Sequence, residues 1–118
     1  MEGMMKKGSL LTVALALLLC ASCGRQQQAK SVVKDFMSQQ LHKDVRYLDF
    51  SDLDSTRAIG DSLIMVLRQR TAQDIVYQER TGHTLLFLRA NYLEGSDTLS
   101  STFYMDTQLT GVVAFKHN

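Results

Sequence analysis

Leu85-Leu86-Phe87-Leu88-Arg89-Ala90-Asn91-Tyr92-Leu93, then Glu94-Gly95-Ser96-Asp97, then Thr98-Leu99-Ser100-Ser101-Thr102-Phe103-Tyr104-Met105: two runs of strand-forming residues flank a tight corner. Glycine as the first of two central turn residues is the pattern of a type II′ hairpin, whose twist suits the flanking strands. A two-residue turn sets the register. One face then pairs Leu86 with Met105, Leu88 with Phe103, Ala90 with Ser101 and Tyr92 with Leu99. The other pairs Phe87 with Tyr104, Arg89 with Thr102, Asn91 with Ser100 and Leu93 with Thr98. A slip of one residue would mix the apolar set with the polar one, so the first face is expected to be core and the second mostly solvated.

Working outward, a four-residue loop Thr107 to Thr110 joins a last strand Gly111–His117, with Met105 against Val112 and Phe103 against Ala114. Upstream, Thr81-Gly82 marks a turn from a strand Asp74–Arg80 that sets Tyr77 against Leu86 and Ile75 against Leu88. Strands Asp74–Arg80, Thr84–Glu94, Asp97–Asp106 and Gly111–His117 form a four-stranded antiparallel meander. Before Asp74 the apolar period is helical. Val32, Val33, Phe36, Met37 and Leu41 make one stripe over Lys30–Lys43, with His42 and Lys43 in the last turn, where positive charge suits the helix dipole. Asp44–Phe50 reads as an extended connector turned inward by Val45, Tyr47 and Phe50. Ser51 with Asp54 has the spacing of a capping box. Leu53, Ile59, Leu63, Val66 and Leu67 form a second stripe, which Gly60 splits into a short first turn and a main helix from Asp61 to Ala72.

The expected fold is α+β: two N-terminal helices packed on one face of the four-stranded meander. That order resembles cystatin-like folds in topology and, more loosely, the nuclear-transport-factor-like cones, in which a sheet curls around helices.

Composition bounds the function. The chain has 118 residues, 45% of them hydrophobic, with no Pro, no Trp, two Cys and a net charge of +1. A disordered chain would be less apolar, a disulfide-stapled mini-protein richer in Cys, and a nucleic-acid binder would carry a basic stripe. The first residues form a processing signal. Lys6 and Lys7 supply positive charge, and Leu10–Cys20 is an apolar run of 11 residues. A bilayer core of about 30 Å needs about 20 helical residues, so the run is too short to span it. Ala21-Ser22-Cys23-Gly24 follows.

That order resembles the lipobox of Gram-negative bacterial lipoproteins, although Cys20 stands where Leu is commoner. An ordinary secretory leader cut near Ser22 is the alternative. The resemblance implies a signal peptide over 1–22, lipidation of Cys23, a polar tether over 23–29 and a single domain over 30–118. Losing Lys6, Lys7 and Glu2 leaves eleven basic and eleven acidic residues, so the lipid anchor, not charge, would hold the membrane. With Cys20 removed and Cys23 modified, no free thiol remains. The absence of an acidic residue just after Cys23 implies the outer membrane, facing the periplasm, over the inner.

Candidate chemistry is thin. His42, His83 and His117 share no ligand spacing, so no metal or other cofactor is expected. Asp35, Asp49, Asp52, Asp54 and Asp61 occupy capping or solvent-face positions, where local hydrogen bonds explain them. Gln78-Glu79-Arg80-Thr81-Gly82 resembles the Gln-x-Val-x-Gly hairpin of cystatins only at Gln78 and Gly82, and the Pro-Trp of their second hairpin is missing. No catalytic residue is assigned, and the chain is read as not an enzyme. The expected site is a row on the outer sheet face, Val76, Phe87, Tyr104 and Val113, flanked by Leu85 and Phe115. An apolar row with a polar rim is how contact patches are built. The leading expectation is therefore a lipid-anchored envelope protein that binds a protein partner or its own copy, as a homodimer, through an open sheet face. The alternative is a binder of a small apolar ligand between sheet and helices, and behind it an enzyme using an Asp or His there.

Overall fold

A computed structural model describes residues 24–118. The signal-peptide reading and Cys23 lie outside them. Residues 24–39 form α1. After it come β1 (Arg46–Phe50), β2 (Asp54–Thr56), α2 (Asp61–Gln69), β3 (Leu85–Glu94), β4 (Asp97–Met105) and β5 (Val112–His117). The protein is α+β, with an antiparallel five-stranded sheet ordered β1-β3-β4-β5 and β2 pairing with β3 alongside β1.

The central hairpin has the register expected of its turn. All eight pairs from Leu86↔Met105 to Leu93↔Thr98 are present, and Glu94↔Asp97 closes the ladder. Gly95 takes φ +63°, which a type II′ turn demands of its first central residue and which glycine adopts without a Cβ penalty.

Flanking elements differ from the sequence reading in four ways. First, Asp74–Arg80 is not a strand. Arg46–Phe50, expected as a connector, takes the edge of β3 instead, with Tyr47 against Tyr92 and Phe50 against Ala90. Ser51 extends this pairing: its N–H donates to the Arg89 carbonyl and its hydroxyl accepts from the Arg89 N–H. It therefore caps no helix, and Asp54 opens β2. Residues 75–80 lie along the opposite edge, where the Gln78 N–H donates to the Val112 carbonyl at 2.8 Å. Second, β4–β5 begins as expected at Met105↔Val112 and then slips by one, so that Tyr104 faces Ala114 and Phe103 faces Phe115. Val113 is the extra residue, and such a bulge turns two neighbours to one face. Third, residues 24–29, expected as an extended tether, are helical, with Ala29 fully buried. Helix periodicity explains it: Ala29, Val33, Phe36 and Met37 form one inward stripe.

The fourth difference decides the site. The two helices cover opposite faces of the sheet. α1 packs on Leu88, Ala90, Tyr92, Phe103, Met105 and Phe115. α2 packs through Ile64 and Leu67 on Leu85, Tyr104, Val113 and Ala114. Residues of opposite parity on a strand point to opposite faces, so the sheet is sandwiched between helices. Only its other half on the α2 side, around Arg89, Asn91 and Thr98, stays polar and open.

Asp106 organises the β4–β5 loop. Its buried carboxylate accepts the Thr110 N–H at 2.9 Å, the Gly111 N–H at 3.0 Å and the Thr110 hydroxyl at 2.5 Å. Leu109, at φ +56°, is thereby turned into the core. Asp106→Ala should cost about 1–3 kcal/mol, the usual penalty for stranding donors that had a charged acceptor. Asp106→Asn, which keeps one carbonyl oxygen, should lose less. Urea denaturation of the two variants checks the order.

Candidate functional site

The expected row is not assembled as a surface. Tyr104 and Val113 are buried and Phe87 is half-buried, all three packed with α2. Phe87 and Tyr104 do face each other, their ring centroids 6.2 Å apart. Val76 is 71% exposed but sits in the segment beside β5, its N–H held by the Gln40 side chain at 2.9 Å. Of the flanking residues, Leu85 lies under α2 and Phe115 faces α1. The apolar row exists because a helix covers it. The open sheet face expected as a contact surface is corrected accordingly.

Among the described residues, three of the five exposed large apolar side chains lie on α2, the other two being Leu48 and Val76. The sequence of α2 is apolar from Leu63 through Leu67. At 100° per residue, Ile64 and Leu67 point to the sheet, while Leu63, Met65 and Val66 are 42%, 61% and 40% exposed. Its ends are charged in the sense the helix dipole favours, Asp61 in the first turn and Arg68 in the last. Arg68 is committed within the fold: it donates to the Val113 carbonyl at 2.8 Å and to the Gln78 carbonyl at 2.9 Å, holding residues 75–80 against β5. Arg70, at the C-cap, donates its backbone N–H to the Val66 carbonyl at 3.3 Å, and its side chain makes no hydrogen bond or ion pair among the described residues.

No protein-family model, curated protein or solved structure matches this chain.

Two clefts merit a chemical reading. One, of about 570 Å³, runs between α2 and residues 79–80. Both of its arginines are spent: Arg80 donates to the Ile59 and Gly82 carbonyls, each at 2.7 Å, and lies 3.4 Å from Asp61. The same bonds tie down the segment that resembled a cystatin hairpin. The other, of about 330 Å³, lies where both helices end, with Leu41, Ile75 and Phe115 as apolar wall and His42, Arg70 and His117 as polar rim. Between α1 and the sheet, Phe36 packs edge-on against Phe103 and Phe115, with centroids 6.2 and 5.4 Å away.

A buried chain of hydroxyls backs the second cleft. Tyr92 Oη lies 2.8 Å from Ser101 Oγ, which lies 3.0 Å from His117 Nδ1. Tyr92 is fully buried, and Ser101 is its hydroxyl's partner. Either hydroxyl of the Tyr92–Ser101 pair can donate, and the His117 tautomer sets the direction along the chain. Ser101 itself is fully buried, so its hydroxyl is closed to solvent. His42, at φ +54°, turns the chain out of α1, and His83 is exposed in the loop before β3. Among the described residues, no three His, Cys, Asp or Glu side chains converge to hold a metal. Asp49 accepts from Asn91 at 2.5 Å on the open half of the sheet, and Asp52 and Asp54 are exposed. Asp106, the one buried carboxylate among the described residues, was not singled out from the sequence; an Asp preceding Thr110-Gly111 by four residues is the signal for the turn it builds.

Two tyrosines have displaced acidities. Burial, and secondarily the nearby Tyr92, push the Tyr47 phenol up to about 12. Burial also raises Tyr77, against the lowering effects of its Thr71 hydrogen bond and of Arg68. A phenol is neutral while protonated, so the unfolded chain ionises first, near pH 10. The stabilisation is complete below about pH 10 and is lost as pH rises towards about 12. Tyr47→Phe should flatten this alkaline fall, which denaturation midpoints along a pH series will read.

Proposed function

We propose that this chain is a lipid-anchored envelope protein, facing the periplasm from the outer membrane, that works by protein contact rather than catalysis. Its contact surface is the outer side of α2, and the occupant is a second copy of the chain. The observation that carries the reading is the exposure of Leu63, Met65 and Val66 on a helix whose inward positions are already filled. Leu63 to Leu67 circle the helix once and are all apolar, so the apolar surface of α2 extends past the face that packs on the sheet.

Charge favours self-pairing. α2 is acidic at its start and basic at its end. An antiparallel pair crossing at Met65 and Val66 sets Asp61 of each copy opposite Arg70 of the other and aligns the helix dipoles favourably. A helix of nine residues is about 14 Å long and covers far less than the roughly 800 Å² per partner of a stable complex. The pairing is thus weak in solution and depends on an anchor that confines both copies to one surface. That anchor is Cys23, supported by Lys6 and Lys7, the run Leu10–Cys20 and the small residues before Cys23.

The test is the full-length chain carrying Met65→Cys, expressed in a Gram-negative host. Lipidation blocks Cys23, so the introduced thiol is the free one. A reductant-sensitive dimer at Met65→Cys and none at an exposed control, Thr98→Cys, is expected. An adduct with a different protein would replace the second copy by that partner, and the absence of any adduct would remove the contact reading. Fatty-acid labelling of Cys23→Ala equal to that of the parent chain would remove the anchor.

A second reading, a binder of a small apolar ligand, is supported by the cleft walled by Leu41, Ile75 and Phe115. Perturbation of these three residues by a hydrophobic probe, with α2 unaffected, would favour it.

A further inference from the structure

The start of the described chain bears on where the membrane lies. Gly24 is already helical, and the residues after it are fastened to the body. The Arg25 guanidinium donates to the Thr107 carbonyl at 3.0 Å. The Gln26 side chain clamps the chain between β1 and β2, donating to the Ser51 carbonyl at 3.0 Å and accepting from the Leu53 N–H at 2.8 Å. Three residues later Ala29 is fully buried. No free tether separates position 23 from the fold.

We infer that the end of the fold formed by the β4–β5 loop, residues 107–110, and the start of α1 rests against phospholipid headgroups, and that the β3–β4 turn points away from the membrane. The inference rests on lipidation of Cys23, as proposed above. From Cys23 to Gln26 the chain reaches at most about 11 Å. A headgroup layer is about 5–8 Å thick on each side of the bilayer. The acyl chains attached at Cys23 are seated at the inner edge of that layer, so the slack left to the body is a few ångströms.

Two contacts orient the body about this point. Arg25, near the start of α1, meets Thr107, just past the end of β4. Lys43, just past the end of α1, pairs with Glu94 at 3.0 Å, next to the β3–β4 turn. α1 thus runs the length of β4, and nine strand residues put the turn about 30 Å from the loop. The paired ends of β2 and β3 lie beside the loop, because Thr56↔Leu85 sits one step beyond Leu86↔Met105. The residues at this end, Arg25, Arg57, Gln108 and Thr110, are exposed and polar. This composition suits contact with zwitterionic headgroups and not insertion among acyl chains.

The test uses the full-length lipidated chain in phosphatidylcholine vesicles with nitroxide on a fraction of the headgroups. A fluorophore on Gln108→Cys should lose most of its emission, and one on Ser96→Cys should lose none. Inserting a Gly/Ser spacer of about twelve residues after Cys23, about 20 Å in root-mean-square span, should restore emission at position 108. Equal quenching at 108 and 96, or quenching at 108 that survives the spacer, overturns the inference while leaving lipidation intact. Failure of the chain to float with the vesicles overturns lipidation and this inference with it.

Discussion

Phe103→Ala should be the most damaging truncation on the α1 side of the sheet, costing about 3–5 kcal/mol, as expected for deleting a fully enclosed aromatic ring. Phe103 is fully buried near the end of β4, between Leu88 of β3 and Phe115 of β5. It stacks on Phe115, with centroids 5.6 Å apart, and receives the edge of Phe36. Neither neighbour can follow the missing ring: one is held by the β4–β5 ladder, the other by α1. For a domain with about 5–15 kcal/mol of total stability, the loss removes a large share of it. The control is the adjacent parity. Arg89, opposite Thr102 on the other face, is exposed, and Arg89→Ala should stay within about 0.5 kcal/mol. Urea denaturation compares them, and equal losses would mean that the β3–β4 register is wrong.

Val113→Asp should unfold the domain or detach α2, whereas Val76→Asp should do neither. Both residues belong to the same apolar row in the sequence reading, and the structure separates them. Val113 is fully buried at the β5 bulge beneath Ile64 and Leu67. A carboxylate there has no partner side chain: the nearby Arg68 already serves the Val113 and Gln78 carbonyls. Burying an unpaired charge costs several kcal/mol and is among the few single changes that exceed about 4 kcal/mol. Val76, 71% exposed, should tolerate the same substitution within about 0.5 kcal/mol. Circular dichroism and thermal denaturation read the contrast. Indifference to Val113→Asp would mean that α2 does not cover the sheet, and the open-face reading would return.

Signals that act over a few residues were legible. The β3–β4 hairpin was readable pair by pair, because Gly95 selects the turn and the turn leaves one register in which Leu88, Ala90, Tyr92, Phe103 and Met105 share a face. The inward stripe of α1 through Val33, Phe36 and Met37 was equally plain, as was the inward direction of Ile75 and Tyr77, which reach the expected core from the unexpected edge.

Tertiary structure alone decided which segment completes the sheet and which face α2 covers. Arg46–Phe50 and Asp74–Arg80 both carry strand-like patterning, and nothing local says which pairs with β3. That choice sets a local hairpin against a pairing some forty residues apart, and in the fold Arg68 binds the later segment to the β5 edge. An amphipathic helix such as α2 fits either face of a sheet, since burial of apolar area has no direction of its own. Phe87, Tyr104 and Val113 made the second face apolar enough to receive it. The same three residues suggested an outside partner only because the covering element lies elsewhere in the same chain.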